Sequence, residues 1–135
     1  MSSKKDKRIE KLEKLYKQAE KLNEEFPKEL IEKLSIYGQI LEILGGMWAS
    51  ATNDWKMAEA KRRETIATVY SLDPDGSNKD REMKAEMAAA EWRRKEAQYE
   101  AEALRWKAAY QAVIEQIQIM KKRYEHISNV AQGGI

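Results

Sequence analysis

The sequence predicts an all-α protein: a long antiparallel helical hairpin of coiled-coil type preceded by a shorter helix, three helices in total, as a single helical domain over residues 1–135. Three observations predict it. Apolar residues recur at steps of three and four over two stretches far too long to be strands. Only two prolines, Pro27 and Pro74, interrupt the chain, and a proline inside a helix removes a hydrogen bond and clashes with the preceding turn. The run Ser71-Leu72-Asp73-Pro74-Asp75-Gly76-Ser77-Asn78 is the one extended stretch of strong turn chemistry.

The first helix is expected over residues 4–25. Ile9, Leu12, Leu15, Tyr16, Ala19, Leu22 and Phe26 repeat mostly at three and four on a surface otherwise rich in Lys and Glu. The Phe26-Pro27 corner makes a short antiparallel connection. This helix can cover one end of the hairpin, against Ile31, Leu34 and Leu41 on one side and Ile117, Met120 and Tyr124 on the other, or reach across to a second subunit.

The second helix, residues 28–70, carries an unbroken stripe: Leu30, Leu34, Tyr37, Leu41, Leu44, Trp48, Ala51, Trp55, Ala58, Arg62, Thr65 and Val69. A repeat of 3.5 residues keeps such a stripe on one side when the helices supercoil. The stripe crosses Gly45-Gly46 in phase, so the pair is expected to be a close helix contact or a mild bend and not a loop. The third helix, residues 79–127, follows the turn at 71–78 and is capped by Ser77 or Asn78. Its stripe is Tyr99, Ala103, Trp106, Tyr110, Val113, Ile117, Met120, Tyr124 and Ile127, with Ala85, Ala88 and Trp92 extending it backward. The tail, residues 128–135, is expected to fray.

Reflecting the chain about Asp75 brings residue i of the second helix near residue 150 minus i of the third. Trp48 then meets Ala103, Leu44 meets Trp106, Tyr37 meets Val113, and Trp92 meets Ala58, large side chains against smaller ones as close packing requires. Smaller residues near the turn imply thinner packing there. A two-helix hairpin leaves Ile36, Ile40, Ile43, Met47, Ile66, Ile114 and Ile119 partly exposed, which argues for a homodimer or higher homo-oligomer.

Charge excludes little in bulk: 25 Lys and Arg oppose 23 Asp and Glu, a net +2. The basic residues do cluster, as Lys61-Arg62-Arg63, Arg93-Arg94-Lys95 and Lys121-Lys122-Arg123. The first two clusters converge across the hairpin in the expected register, beside Trp55 and Trp92. Such a belt could hold a phosphate backbone while an aromatic stacks a base; the same residues also suit a solvated helix surface laced with ion pairs, and both tryptophans suit core packing. Met57, Met83, Met87 and Ala88-Ala89-Ala90 offer a small-residue and Met surface for a partner helix, or simply pack.

Catalytic chemistry finds little purchase. With no cysteine and a single histidine, disulfides, thiol catalysis, Cys-based zinc sites and multi-His metal sites are out of reach. His126 has no matched nucleophile or carboxylate. No phosphate-binding glycine loop or dinucleotide pattern occurs, and Asp73 and Asp75 lack the spacing of a calcium loop. Glu96, Glu100, Glu102 and Glu115 fall mostly off the stripe, and no Glu-x-x-His pair accompanies them as a carboxylate-bridged dimetal bundle needs. No enzyme activity, cofactor or metal is expected. Nor is a membrane span or secretory leader, so the cytoplasm is the expected compartment.

The segments Asp80 to Glu86, Glu91 to Ala97, Leu104 to Tyr110 and Glu115 to Arg123, together with Met47-Trp48-Ala49 and Ala58 to Glu64, resemble a family of small coiled-coil proteins of bacteriophages and prophages of low-GC Gram-positive bacteria. The resemblance spans about residues 47–127. It implies a phage setting in a bacterial host, near recombination and single-strand-binding functions, and supplies no catalytic residues. The expected function is a non-enzymatic, oligomeric accessory protein of phage DNA replication or recombination, contacting nucleic acid or a DNA-processing protein through Lys61, Arg62, Arg63, Arg93, Arg94 and Lys95. Its buried seam comprises Leu34, Tyr37, Leu41, Leu44, Trp48, Trp55, Trp92, Tyr99, Trp106, Tyr110, Val113, Ile117 and Met120. The alternatives are an inhibitor or modulator of a host nuclease or defence protein, and a structural scaffold.

Overall fold

A computed structural model describes residues 6–72 and 74–133. These form three helices and no strand: α1 (Lys7–Glu20), α2 (Pro27–Ser71) and α3 (Asn78–Ala131). Helices α2 and α3 pack against each other as the expected hairpin. Chain contacts divide into two compact units, residues 1–47 with 106–135, and residues 48–105. Asp73 of the turn, residues 1–5 and residues 134–135 lie outside the described residues.

Local chemistry sets the helix ends. Asp6, extended at φ −61° and ψ 128°, accepts the Arg8 backbone N–H at 2.8 Å and caps α1, satisfying a donor the first turn cannot pair internally. Its carboxylate also accepts from Arg8 Nε and Nη2. These side-chain and backbone hydrogen bonds from Arg8 hold the Asp6 carboxyl below its ordinary value. Helix α1 ends at Glu20, five residues before the expected end. The Asn23 side chain accepts from the Glu25 N–H at 2.9 Å while the Asn23 N–H donates to Glu29 Oε1 at 3.2 Å, a local arrangement that competes with the helical ladder. Pro27 then opens α2 at a position where its missing N–H costs nothing.

The expected fraying from residue 128 is also corrected, because α3 continues to Ala131. It ends where Gly133, at φ 73°, donates to the Val130 carbonyl at 3.0 Å. That left-handed C-terminal stop favours glycine.

In the first unit α1 lies against both longer helices. Leu12, Leu15 and Ala19 of α1, Ile36, Ile40 and Leu44 of α2, and Val113 of α3 form one buried cluster. Tyr16, Tyr37, Trp106, Tyr110 and Ile117 ring it, and Tyr16 and Tyr37 meet edge to face at 6.1 Å. Burial raises the Tyr16 hydroxyl above its ordinary value, with Tyr37 adding to it. Burying an aliphatic side chain of this size contributes about 1.5–3 kcal/mol. Glu24 ties the α1–α2 connection down, accepting from Lys33 Nζ at 2.8 Å and Arg123 Nη1 at 3.1 Å.

This packing corrects the list of exposed flanks. Ile36, Ile40 and Met47 are buried, and the first two owe it to α1 of the same chain. Ile43, Ile66 and Ile114 are half-buried, and Ile119 is exposed. Phe26, placed in the apolar row of α1, is instead 55% exposed, since the helix ends before reaching it. In this unit α1 meets much of the demand that had argued for a second subunit.

The register is corrected as well. Reflection about Asp75 would set Gly45 against Arg105 and Arg62 against Ala88; Gly45 meets Tyr110 and Arg62 meets Glu96. Side chains on antiparallel helices lean toward their own N-termini, which shifts contacts in this direction. The contact partners also depend on an ion pair and on a glycine that admits a ring, and mirror symmetry about the turn contains neither.

Helix α2 runs through Gly45-Gly46 without interruption. A Cβ on Gly45 would stand 3.3 Å from Tyr110 Cε2, whereas one on Gly38 would meet nothing within 4 Å. Replacing helical Gly by Ala gains about 1 kcal/mol in propensity. Gly38→Ala is therefore expected to stabilise the protein by roughly that amount, and Gly45→Ala by less or not at all, because Tyr110 must shift. Thermal unfolding of the two variants beside the parent checks the difference; equal gains would remove the close-contact role of Gly45.

Candidate functional site

The second unit, residues 48–71 of α2 and 78–105 of α3, is built differently. Among the described residues its buried ones are all alanines: Ala51 and Ala58 on α2, Ala85, Ala89 and Ala103 on α3. Alanine at the seam lets two helices approach closely but leaves the larger neighbours on the flanks. Trp48, Trp55, Trp92 and Tyr99 are accordingly half-buried, and Met57, Met83, Met87 and Leu104 are exposed. The thinner packing expected near the turn is present as this alanine seam.

Trp92 stands in an open groove between the helices. One hollow beside it, about 330 Å³, is lined by Lys61, Glu64, Thr65, Thr68 and Val69; the other, about 300 Å³, by Asn53, Asp54, Met57, Ala58, Lys61 and Tyr99. Trp92 and Lys61 border both hollows. Near the turn, Arg81 donates to the Tyr70 carbonyl at 2.9 and 3.1 Å and lies 3.9 Å from the Tyr70 ring centre, while the Tyr70 hydroxyl donates to Asn78 Oδ1 at 3.0 Å.

The six basic residues expected to bind nucleic acid are largely engaged by carboxylates. Arg62 Nε meets Glu96 at 2.6 Å, both side chains being less than a fifth exposed. Arg93 makes a two-pronged pair with Glu86 at 2.8 Å; this hydrogen bonding holds Glu86 below its ordinary value and Arg93 above its own. Lys61 pairs with Glu64 at 3.6 Å, Arg63 with Glu59 at 3.5 Å and Lys95 with Glu91 at 3.4 Å. Arg94 is exposed and has no carboxylate partner among the described residues. Residues 48–105 hold 11 Lys and Arg against 12 Asp and Glu, so the unit is net −1. Lys56 and Lys95 lie 4.4 and 4.7 Å from the ring centres of Trp55 and Trp92, where a stacked base would sit.

Of the residues expected at the seam, Leu44, Val113 and Met120 are buried. Leu34, Tyr37, Leu41, Trp106, Tyr110 and Ile117 are half-buried in the first unit; Trp48, Trp55, Trp92 and Tyr99 are half-buried in the second. The groove itself escaped sequence reasoning. Its signal was present in the row Ala51, Ala58 and Thr65, which carries no side chain large enough to fill a seam.

Among the described residues, no group of three or more His, Cys, Asp and Glu could hold a metal ion, and no helix is long and apolar enough to cross a membrane. Comparison with protein-family models, curated proteins and solved structures finds no match to this chain. The resemblance drawn over residues 47–127 therefore rests on its residues alone.

The Arg62–Glu96 pair links the two helices of this unit where the seam is thinnest. Breaking a partly buried, hydrogen-bonded pair leaves the surviving charge poorly solvated. Arg62→Ala and Glu96→Ala are each expected to destabilise by about 1–2 kcal/mol, with the double variant costing less than their sum. Chemical denaturation of the three variants measures the coupling; strictly additive losses would show that the pair contributes nothing.

Proposed function

We propose that this chain is a non-enzymatic helical interaction protein whose working surface is the Trp92 groove of the second unit, and that this groove receives protein and not nucleic acid. One observation carries the reading. A two-helix unit with an all-alanine buried seam leaves Trp92, Tyr99 and Met57 around an open groove, and aromatic and Met side chains so placed are the usual anchors of protein recognition.

Electrostatics favours protein over a phosphate backbone. Nucleic-acid binding draws its affinity from neutralising phosphates, whereas this unit is net −1 and five of its six clustered cations already face carboxylates. Within the phage setting that the resemblance implies, the accessory role in DNA replication or recombination would be exercised through a DNA-processing protein; a host nuclease or defence protein is the other partner of that setting.

A tagged chain incubated in bacterial lysate, with and without nuclease, tests the choice. The proteins captured are expected to be the same in both arms, lost with Trp92→Glu, and retained when Arg63, Arg93 and Arg94 are changed together to Gln. Capture that disappears with nuclease, or a purified chain whose affinity for DNA falls steeply between 50 and 200 mM salt, would overturn the protein-binding reading in favour of direct nucleic-acid contact.

A further inference from the structure

We infer that the Trp92 groove is filled by a second copy of this unit, laid on it antiparallel about a two-fold axis beside Trp92; this rests on the protein-binding reading above, and other proteins would then bind the paired unit. The order of residues along the face carries the inference. On α3 the row Arg81, Ala88, Lys95 and Glu102, spaced by sevens, flanks the row Ala85, Trp92 and Tyr99. On α2 the row Asp54, Lys61 and Thr68 flanks Ala51, Ala58 and Thr65. Asp54, Lys61 and Thr68 border the two hollows, with Trp92 between them.

The α3 row is complementary to its own reverse. Turned end for end about Trp92, Arg81 of one copy meets Glu102 of the other, and exposed Ala88 meets Lys95. A cation faces an anion, and a long side chain lies over a short one. On α2 the same operation carries Lys61 over the last turn of α2 of the other copy, near Ser71. Each Trp92 enters the hollow lined by Thr65, Thr68 and Val69 on the other copy. Arg81 already donates to the Tyr70 carbonyl through Nε and Nη2, so it would meet Glu102 through its remaining N–H groups.

The parallel stacking of two such faces is disfavoured by the same residues. The shared hollow lined by Ala58 and Tyr99, and the pairing of Arg62 with Glu96, set the relative height of the two helices. At that height, a parallel two-fold would place Lys95 over Lys61 and Glu102 over Asp54, like charge on like charge in both cases. Repulsion of this kind excludes wrong pairings more effectively than attraction selects right ones.

The face is also large enough. Its α2 edge of 24 residues, Trp48 to Ser71, is about 36 Å long at 1.5 Å per residue. Two adjacent helices are roughly 20 Å across, so each copy offers on the order of 700 Å². Turned about Trp92, the α3 edges overlap fully and the α2 edges only over their turn-proximal half, so a pair buries on the order of 1,000 Å², at the lower limit of specific interfaces. The resulting four-helix arrangement supplies the neighbours that an alanine-seamed hairpin lacks.

Sedimentation equilibrium of the purified full chain tests the pairing. A reversible dimer is expected. Glu102→Arg should weaken it at least tenfold, and adding Arg81→Glu to that variant should recover most of the loss, with helicity by circular dichroism unchanged throughout. Because the chain contains no cysteine, Ala88→Cys with Lys95→Cys should give a disulfide-linked dimer in air, while Lys61→Cys with Lys95→Cys should not. A chain that stays monomeric at 100 µM, a dimer indifferent to Glu102→Arg, or crosslinking by the Lys61/Lys95 pair alone overturns the inference. A monomer that still captures protein through Trp92 overturns the dimer and leaves the proposed function standing; a monomer that captures none overturns both.

Discussion

How much a helix pair can bury is set by the size of the residues at its seam, and the two parts of this chain sit at opposite ends of that scale. In the first unit Leu, Ile and Val fill the contact and α1 closes over it, giving a cluster of seven buried residues drawn from three helices. In the second unit five alanines are the only buried residues among those described. An alanine contributes little apolar area, roughly one methyl group, so its burial stabilises by less than a Leu or Ile does. The second unit gains close helix approach at the expense of core volume, and its large side chains are left facing outward.

The repeat of three and four was enough to read the helices, their order and the turn, because a periodicity sustained over so many residues has no competing interpretation. Register was harder. It depends on how far each side chain leans and reaches, and Arg62 finds Glu96 because a guanidinium on a flexible stem can span more than a turn. The early end of α1 depended on Asn23, whose side-chain hydrogen bond to the Glu25 backbone looks like any other polar residue in a Lys- and Glu-rich stretch. The groove was hidden for a different reason. Trp92 and Tyr99 occupy seam positions by spacing, and spacing alone does not reveal that their neighbours are too small to enclose them.

The charged residues show the same limit of linear reading. Lys61-Arg62-Arg63 and Arg93-Arg94-Lys95 look basic when read along the chain, but Glu59, Glu64, Glu86, Glu91 and Glu96 lie within one or two turns on the helix surface. Each cluster of three is therefore dispersed among its counterions. Surface pairs of this kind individually contribute little stability, typically 0–1 kcal/mol, yet together they cancel the field that would draw in a polyanion. What remains is a mixed surface whose information lies in the order of its charges.

That order also bears on how far assembly would go. A row that is complementary to its own reverse is satisfied once, by one partner, since the same patch serves on both sides of the two-fold. A row complementary to a different patch would instead leave one free face after every contact and grow without limit. Arg81, Ala88, Lys95 and Glu102 belong to the first kind, with unlike ends and a Trp between them. In the proposed pair, Trp92 and the groove beside it would supply the driving force for contact, and this row of four residues both the direction of pairing and the reason it stops at two.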